Sequence, residues 1–156
     1  MLTSIQRLNF YLRIISFWKI PLLFYCRPKI ILLTDQKVQF KIKLKRRVKN
    51  HLGSMYLGAL AVGADLASGY FAFHYLQKHK KSISLIFKDF HADFYRRSMD
   101  DVVFTCDMGE EIKELIDSSL KTNQRVNLPV LVTATVPSIS DEIVAKFTLT
   151  LSVKTK

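Results

Sequence analysis

The sequence has few of the residues that mark a secreted scaffold or a metal centre. Only two cysteines occur in 156 residues, Cys26 and Cys106, with no CxxC pair and no nearby histidine cluster. Neither a disulfide framework nor a zinc site is expected, and a reduced, cytoplasmic setting fits. We predict that both cysteines are small buried apolar residues and that the chain holds no metal.

The chain also lacks a long uncharged apolar run. The apolar N-terminal stretch is interrupted by Arg7, Arg13 and Lys19, so no segment reaches the roughly 18–20 residues that a membrane-spanning helix needs. No small-residue cleavage pattern follows, and no signal peptide is expected. Apolar residues nevertheless recur at helical spacing and predict a helix over residues 4–18, which Pro21 would stop. This helix either packs on its own domain or lies on a bilayer surface with basic flanks.

Acidic residues are scarce in the first part of the chain. The net charge is +11, and twelve Lys or Arg residues but a single acid, Asp35, precede Asp65. Nine of the 13 acids fall between Asp89 and Asp117. Such a field attracts polyanions: nucleic acid, anionic lipid or a phosphate-rich small molecule.

The hydrophobic pattern predicts one domain of the α+β class. Consecutive strands joined by short turns favour an antiparallel sheet, against which one long apolar helix packs. Pro129 lies inside a predicted strand and indicates an edge or a bulge there. The predicted strands are 29–34, 37–48, 83–96, 100–107, 125–136 and a last strand that includes 143–153, and the predicted later helices are 55–78 and 110–121.

The long helix is the most informative segment. Residues 55–78 contain no proline, are apolar nearly all round and are rich in glycine and alanine. A helix that is apolar on every side is expected to be enclosed on every side, with glycines where another backbone comes close. Asp65 is the one carboxylate in this apolar stretch. We expect its pKa to be raised by desolvation, which increases its basicity.

The start of this helix resembles the hotdog-fold acyl-CoA thioesterases of the phenylacetic-acid-degradation type. Their pattern reads N-x-x-G-x-x-H-G-G, six further residues, then D on the central helix. Asn50 and Gly53 match the first two motif positions, and Gly58 matches the last glycine. Asp65 falls on the acid without a gap, whereas the histidine and middle-glycine positions are Tyr56 and Leu57.

The resemblance implies a hotdog fold, in which an antiparallel sheet wraps around a central helix. It covers roughly residues 29–155, so we predict a hotdog domain over 29–156 and an extra N-terminal helical extension over 1–28. The family pairs its sheets edge to edge, which implies a homodimer or a tetramer of dimers with active sites at the junction. It also implies an acyl-CoA or fatty-acyl ligand, with no cofactor other than coenzyme A as part of the substrate.

The resemblance assigns roles to the helix and to the loop before it. Asp65 would attack the thioester or activate water, and the backbone N–H groups of Leu57 and Gly58 would stabilise the oxyanion. Tyr56 would replace the imidazole as a hydrogen-bond donor, and Asn50 would position the substrate carbonyl or a water. The alternatives are ordinary packing for Tyr56 and Leu57, a turn or cap role for Asn50, and a purely structural hydrogen bond for Asp65.

Further binding residues are suggested around these positions. Ser54 is a candidate helix cap and ligand contact, and Ser82 or Ser84 would supply the hydroxyl that the family often places on the next strand. Phe71, with Phe87 and Phe90, would line the acyl slot, although such aromatics also form ordinary core. A basic rim would bind the coenzyme A phosphates through Lys78, Lys80 and Lys81 or through Arg96 and Arg97.

Three functions therefore compete. The first is hydrolysis of an acyl-CoA thioester, and the second is a catalytically silent hotdog module that binds acyl-CoA or fatty acid. The third, nucleic-acid binding, would use the basic segment Lys41, Lys43, Lys45, Arg46 and Arg47. No RNA-binding aromatic motif or recognition helix is evident, so we expect no nucleic-acid partner. Weak contact with a membrane surface remains compatible with the N-terminal helix.

Overall fold

The computed structural model describes residues 4–79 and 83–155. In these ranges the chain forms four α-helices, a 3-10 turn at Arg46–Val48 and six strands. The helices are α1 (Ser4–Lys19), α2 (Pro21–Cys26), α3 (Leu57–His79) and α4 (Gly109–Thr122). The strands are β1 (Lys29–Leu33), β2 (Val38–Ile42), β3 (Ile83–Phe94), β4 (Val102–Cys106), β5 (Val126–Val136) and β6 (Ser140–Thr155).

The six strands form a single antiparallel sheet in the order β1-β2-β4-β5-β6-β3. The α+β class and every predicted strand are confirmed, with bounds that shift by a few residues. In β2 the predicted alternation holds, because Val38, Phe40 and Ile42 are buried whereas Gln39 and Lys41 are only partly covered. The strand ends at Ile42 rather than continuing to residue 48.

Pro129 lies where β5 has a partner on one side only. It pairs with Thr150 of β6, whereas β4 pairs with β5 only at residues 133–135. The half of β5 that contains Pro129 therefore behaves as an edge, where a missing N–H removes no ladder hydrogen bond. The edge predicted from the sequence is confirmed.

The core forms where α3 crosses the sheet. Its inward face carries the small residues Ala59, Gly63, Ala64 and Ala67, and a Cβ added at Gly63 would overlap the ring of Phe104 on β4. The glycine thus allows the helix to approach the central strands closely. Strand residues fill the other half of this core: Val38, Phe40, Ile42, Val102, Phe104, Val130, Val132, Phe147, Leu149 and Leu151.

The prediction that α3 is enclosed on every side is wrong for the single chain. Asp65 and Phe73 are exposed, and Val62, Leu66 and Gly69 are only half-buried. These residues form one face of the helix, which the chain's own sheet covers only in part, where Phe87 lies against Gly69. An apolar helix face of this kind is normally covered by another element, and within one chain that cover is missing.

The two edges of the sheet differ. Helix α1 lies over the edge strand β1, where the Asn9 side chain accepts a hydrogen bond from the Ile30 N–H (2.8 Å) and donates one to the Ile30 carbonyl (2.9 Å). The opposite edge is β3, twelve residues long, which pairs only with β6. Its exposed side chains include the large apolar residues Ile86, Phe90 and Phe94, together with Lys88, Asp89, His91 and Asp93.

The N-terminal helix is confirmed, but Pro21 does not simply end it. The proline occupies the first turn of a second short helix, α2, because its fixed φ suits that position and its missing N–H would be unpaired there in any case. Arg27 then ends α2 in the left-handed region at φ 53°. Among the described residues, no helix has both the length and the hydropathy to cross a bilayer.

Candidate active site

The loop that precedes α3 is held by its own polar groups. The Asn50 side-chain oxygen accepts hydrogen bonds from the N–H groups of Leu52 (2.9 Å) and Ser54 (3.1 Å). Its amide nitrogen donates to the Ser54 hydroxyl (2.8 Å), and Gly53 turns the chain at φ +80°. In the single chain, Asn50 therefore organises the turn, which is the structural alternative considered for it.

Ser54 is not the cap of the helix. It is buried against Asn50, and α3 begins three residues later, at Leu57. The loop is fixed to its surroundings by two backbone hydrogen bonds, from Met55 to the Ser98 carbonyl (2.9 Å) and from Tyr56 to the Val48 carbonyl (2.8 Å). These bonds set the direction in which the helix leaves the loop.

The first amides of α3 are available as donors. The Tyr56 carbonyl accepts the N–H groups of Ala59 (2.9 Å) and Leu60 (3.1 Å), which leaves those of Leu57 and Gly58 without an acceptor among the described residues. Unpaired N–H groups at a helix start favour negative charge. This is the property that an oxyanion site requires.

Tyr56 and Leu57 border these amides. Both side chains are exposed, and the Tyr56 ring lies so close to Gly58 that a Cβ added there would come within 2.8 Å of the ring. The tyrosine therefore covers the position that matches the last glycine of the motif. Because the ring is exposed and has freedom to rotate, this cover is movable.

Asp65 projects from the uncovered face of α3. Its side chain is exposed in the single chain, yet the surrounding helix and sheet still exclude enough water that burial raises the pKa of its carboxyl above the ordinary value. No hydrogen bond or ion pair to this carboxylate occurs among the described residues; the Ser68 hydroxyl donates to the backbone carbonyl of Asp65 (3.0 Å) and not to its side chain. The expected direction of the pKa shift is confirmed; the expected enclosure is not.

Asp65 and the free amides share one face of the helix but lie apart along its axis. Gly58 and Asp65 are seven residues apart, which at 3.6 residues per turn places them on the same side. The same spacing separates them by about 10 Å along the axis. An oxyanion donor must lie at about 3 Å from the reacting oxygen. Asp65 and the amides of the same helix are therefore too far apart to act on one thioester.

Strand β3 supplies aromatic side chains on the helix side of the sheet. Phe87 pairs with Leu151 and Phe90 with Leu149, and both partners are core residues. A register shift lies between the two phenylalanines, at which the Asp89 carboxylate accepts the Thr150 N–H (2.9 Å). Phe87 also lies against Gly69, one helical turn beyond Asp65.

The two serine candidates on this strand are not placed beside Asp65. Ser84 alternates with Leu85 and Phe87, which point towards the helix, so its side chain is on the opposite face of the sheet. Ser82 lies outside the described residues. Phe71 is buried and, with His74 and Tyr75, lines a cavity of about 690 Å³ that does not include Asp65.

The structure thus brings together five of the nine predicted site residues at the start of α3 and places Asp65 two turns further along the same helix; the five are Asn50, Ser54, Tyr56, Leu57 and Gly58. Sequence reasoning missed Phe73 and Phe94, which are exposed close to the same helix face and strand edge. Phe73 could have been found from its spacing of eight residues from Asp65, which is about two helical turns.

Of the candidates for the basic rim, Arg96 and Arg97 are exposed just after β3. Arg96 forms an ion pair with Glu142. Lys80 and Lys81 lie outside the described residues, as does the side chain of Lys78. Among the residues described, no three His, Cys, Asp or Glu side chains cluster as a metal site would require. The cysteines are buried as expected.

Comparison with known proteins identifies a family and a fold. The family model described as "Domain of unknown function (DUF4442)" matches residues 13–153, which is most of the chain. No curated protein sequence matches the chain. The family match begins inside α1 and so includes part of the helical extension.

Solved structures match almost the whole chain. A protein of unknown function from Chlorobaculum tepidum matches with a TM-score of 0.82 at 10% identity, covering 97% of each chain. A protein from Shewanella oneidensis, provisionally named a thioesterase, matches with a TM-score of 0.77 at 15% identity, covering 96% of this chain and 99% of its own. A mutant thioesterase from Pseudomonas aeruginosa gives 0.68 at 13% identity, covering 100% of this chain and 97% of its own.

These matches confirm the predicted fold class. The single antiparallel sheet packed on a long central helix is the hotdog fold of thioesterase-like proteins. At such low identities the likeness concerns the fold alone, because one fold supports many activities. The more specific resemblance to the phenylacetic-acid-degradation type stays a prediction.

Proposed function

The chain belongs to the DUF4442 family, and we propose that it hydrolyses acyl-CoA thioesters as a homodimer. In this proposal the Asp65 carboxylate is the general base or nucleophile, and the Leu57 and Gly58 amides bind the oxyanion. The motif positions that resemble the phenylacetic-acid-degradation type of thioesterase support the substrate class. The named thioesterases of the same fold support the reaction type.

One observation carries the proposal. A carboxylate of raised pKa and two unpaired amides lie on the same uncovered helix face, about 10 Å apart along the axis. A second copy related by a two-fold axis, placing its helix antiparallel beside the first, would bring the Asp65 of each chain to the amides of the other. The exposed β3 edge is where such a copy would add its own β3 to a continuous sheet.

The reaction needs no group beyond these residues and water. With Asp65 as general base, a water oxygen attacks the thioester carbon while the carboxylate takes its proton. The negative charge that develops on the carbonyl oxygen is stabilised by the two amides. When the tetrahedral intermediate collapses, the carbon–sulfur bond breaks, the coenzyme A thiolate takes up a proton, and the free acid leaves.

The substrate would lie along the edge of the sheet. Phe87, which lies against Gly69 one helical turn from Asp65, and Phe90 on the same face of the sheet would contact the acyl group. Arg96 and Arg97, exposed where β3 ends, would attract the phosphates of coenzyme A. The chain length of the acyl group is then set by how much room the aromatic side chains leave in the dimer.

The direct test is thiol release from a panel of acyl-CoA thioesters of different chain length. We expect Asp65→Asn to lower kcat/KM by about 100-fold or more, the usual contribution of a positioned base. Asp141→Asn, which removes an exposed acid on β6, is the matched control and should leave the rate unchanged. Undiminished hydrolysis by Asp65→Asn would remove this carboxylate from the mechanism.

A mixing experiment tests whether the site is shared between two chains. Leu57→Pro deletes one amide donor at the first helical position, where proline is well tolerated, and should be inactive by itself. Refolding Leu57→Pro with Asp65→Asn in equal amounts should restore about a quarter of the wild-type rate, because half of the dimers are mixed and each has one intact site. If each chain held a complete site, the mixture would stay as inactive as its parents.

The second candidate is a hotdog module that binds acyl-CoA or fatty acid without cleaving it. The observation in its favour is the leucine at the middle-glycine position, together with the Tyr56 ring that covers Gly58. Tight acyl-CoA binding with no thiol release would establish this function. If Leu57→Gly then hydrolysed the thioester, the leucine side chain would be identified as the cause of the missing activity.

A further inference from the structure

The N-terminal helices present a second apolar surface, distinct from the face of α3. The inward side of α1 is occupied by residues such as Asn9 and Ser16, which contact the chain itself. Its outward side is also apolar, and the sole tryptophan of the chain, Trp18, is 76% exposed. The outward apolar residues of α1 and α2 include Phe10, Ile14, Phe17, Trp18, Leu22 and Tyr25.

A strongly basic cavity adjoins this surface. It has a volume of about 420 Å³ and is lined by residues of α1, α2, the start of β1 and the segment after β2. None of its fourteen lining residues is acidic, and no ion pair involves its cationic side chains among the described residues. The cations that line it are Arg13, Arg27, Lys29, Lys43, Lys45 and Arg47.

The apolar surface and the cavity are joined by direct contacts. The Arg13 guanidinium lies over the Phe24 ring at 5.4 Å from its centroid. The Phe24 ring contacts Phe17 at 5.1 Å between centroids, and Phe17 contacts Trp18 at 5.2 Å. A single ligand surface could therefore meet exposed aromatic rings and clustered cations at the same time.

We propose that the α1–α2 hairpin docks on the surface of an anionic phospholipid bilayer. The outward side chains enter the interface between headgroups and acyl chains, and lipid phosphates are bound by the cations of the adjoining cavity. Amphipathic tryptophan and tyrosine suit this interface, and basic residues near it are attracted by anionic lipids. This activity is separate from hydrolysis and does not depend on it.

Two other occupants fit the surface less well. A nucleic acid would use the cations but has nothing to gain from exposed aliphatic side chains such as Ile14 and Leu22. A second copy of the chain would bring two clusters of positive charge together, because no acid occurs before Asp35 to offset them. A bilayer complements both the charge and the apolar character.

Trp18 provides the measurement, because it is the only tryptophan and lies on the proposed surface. Its emission should shift to shorter wavelength when vesicles of phosphatidylcholine mixed with phosphatidylglycerol are added. Vesicles of phosphatidylcholine alone should produce little shift, and added salt should reverse it. Binding is measured independently by co-sedimentation with the vesicles.

Matched variants separate the two parts of the surface. The double variant Lys43→Gln/Lys45→Gln should bind anionic vesicles on the order of thirtyfold more weakly, whereas Lys113→Gln/Lys121→Gln on α4 should bind normally. Leu22→Ser should also weaken binding. Ile139→Ser is its control, because Ile139 is 63% exposed against 61% for Leu22 but lies in the β5–β6 turn.

Four outcomes would overturn the proposal. The first is no shift of the Trp18 emission with anionic vesicles at low salt. The second is vesicle binding that is unchanged in both Lys43→Gln/Lys45→Gln and Leu22→Ser. The third is a shift produced as well by inorganic phosphate or by an RNA oligomer, which would identify a soluble anion as the ligand. The fourth is a shift present without vesicles and lost on dilution, which would identify a second copy of the chain.

Discussion

The two edge strands of the sheet differ in whether the chain covers them. At β1 the chain covers its own edge, because α1 lies over the strand and the Asn9 side chain forms hydrogen bonds with the backbone N–H and carbonyl of Ile30. At β3 a twelve-residue edge is left open, with Ile86, Phe90 and Phe94 exposed. An open, long, apolar edge is a liability unless a partner covers it. The difference indicates which side of the molecule is prepared for another chain.

Placing a charge on each edge should have the largest effect and an unequal one. Ile86→Lys on β3 and Ile31→Lys on β1 replace the same residue at 49% and 42% exposure. Ile86→Lys should weaken the pairing of the two β3 edges and shift the proposed dimer towards monomer, because a lysine on an edge strand disfavours edge-to-edge pairing, and thiol release should fall with it. Light scattering gives the mass, and Ile31→Lys should leave mass and rate unchanged.

The inference that β3 is the pairing edge is wrong if both variants keep the mass of the wild-type chain. It is also wrong if the Ile31→Lys protein is the variant that becomes monomeric. A monomeric wild-type chain that hydrolyses acyl-CoA at full rate would also contradict it. In that case the uncovered face of α3 would need an explanation that does not involve a second copy.

Removing the cover of β1 should have an intermediate effect, limited to stability. Asn9→Ala deletes both hydrogen bonds to Ile30 and should lower the free energy of unfolding by about 1–3 kcal/mol. Urea unfolding measures the change, and Arg7→Ala, an exposed change on the same helix, is the control. An unaltered midpoint for Asn9→Ala would mean that α1 covers the edge without being fixed to it.

The smallest effect concerns Asp65 and depends on pH. Because its folded-state pKa is raised above 3.8, the folded chain binds more protons than the unfolded chain between the two values. Stability therefore falls as pH rises through that window, and the cost is fully present above the raised pKa. Asp65→Asn should raise Tm slightly at pH 7 and should not do so below pH 3.8.

Calorimetry at the two pH values decides this prediction. A lower Tm for Asp65→Asn at pH 7 would mean that the carboxylate stabilises the fold through a partner. That result would favour the structural role considered for it at the outset. The same pKa shift predicts that hydrolysis by the wild-type chain rises with pH through the raised pKa of Asp65, since only the ionised carboxylate is basic.

Much of the fold could be predicted from the sequence because its patterns are local. The alternation in β2 and the length of α3 follow directly from which residues are apolar, and Pro129 correctly indicated a partial edge. The second helix α2 was missed because Pro21 was interpreted as a stop, whereas proline equally suits the first turn of a new helix.

The site could be predicted only in part, for two physical reasons. Asp65 was evident as a lone carboxylate in an apolar helix, but the sequence did not show that the described part of the chain leaves this residue exposed. The register shift between Phe87 and Phe90 puts two residues three apart on one face, which simple alternation cannot reveal.

In the proposed dimer, the two hydrogen bonds of Asn9 would also limit how large the assembly can grow. A sheet with two bare margins could add copies without end, as in a fibre. Here α1 already covers one margin, so strand addition at the other would stop once two chains had met. A single asparagine on a peripheral helix would thus help to keep the proposed assembly finite.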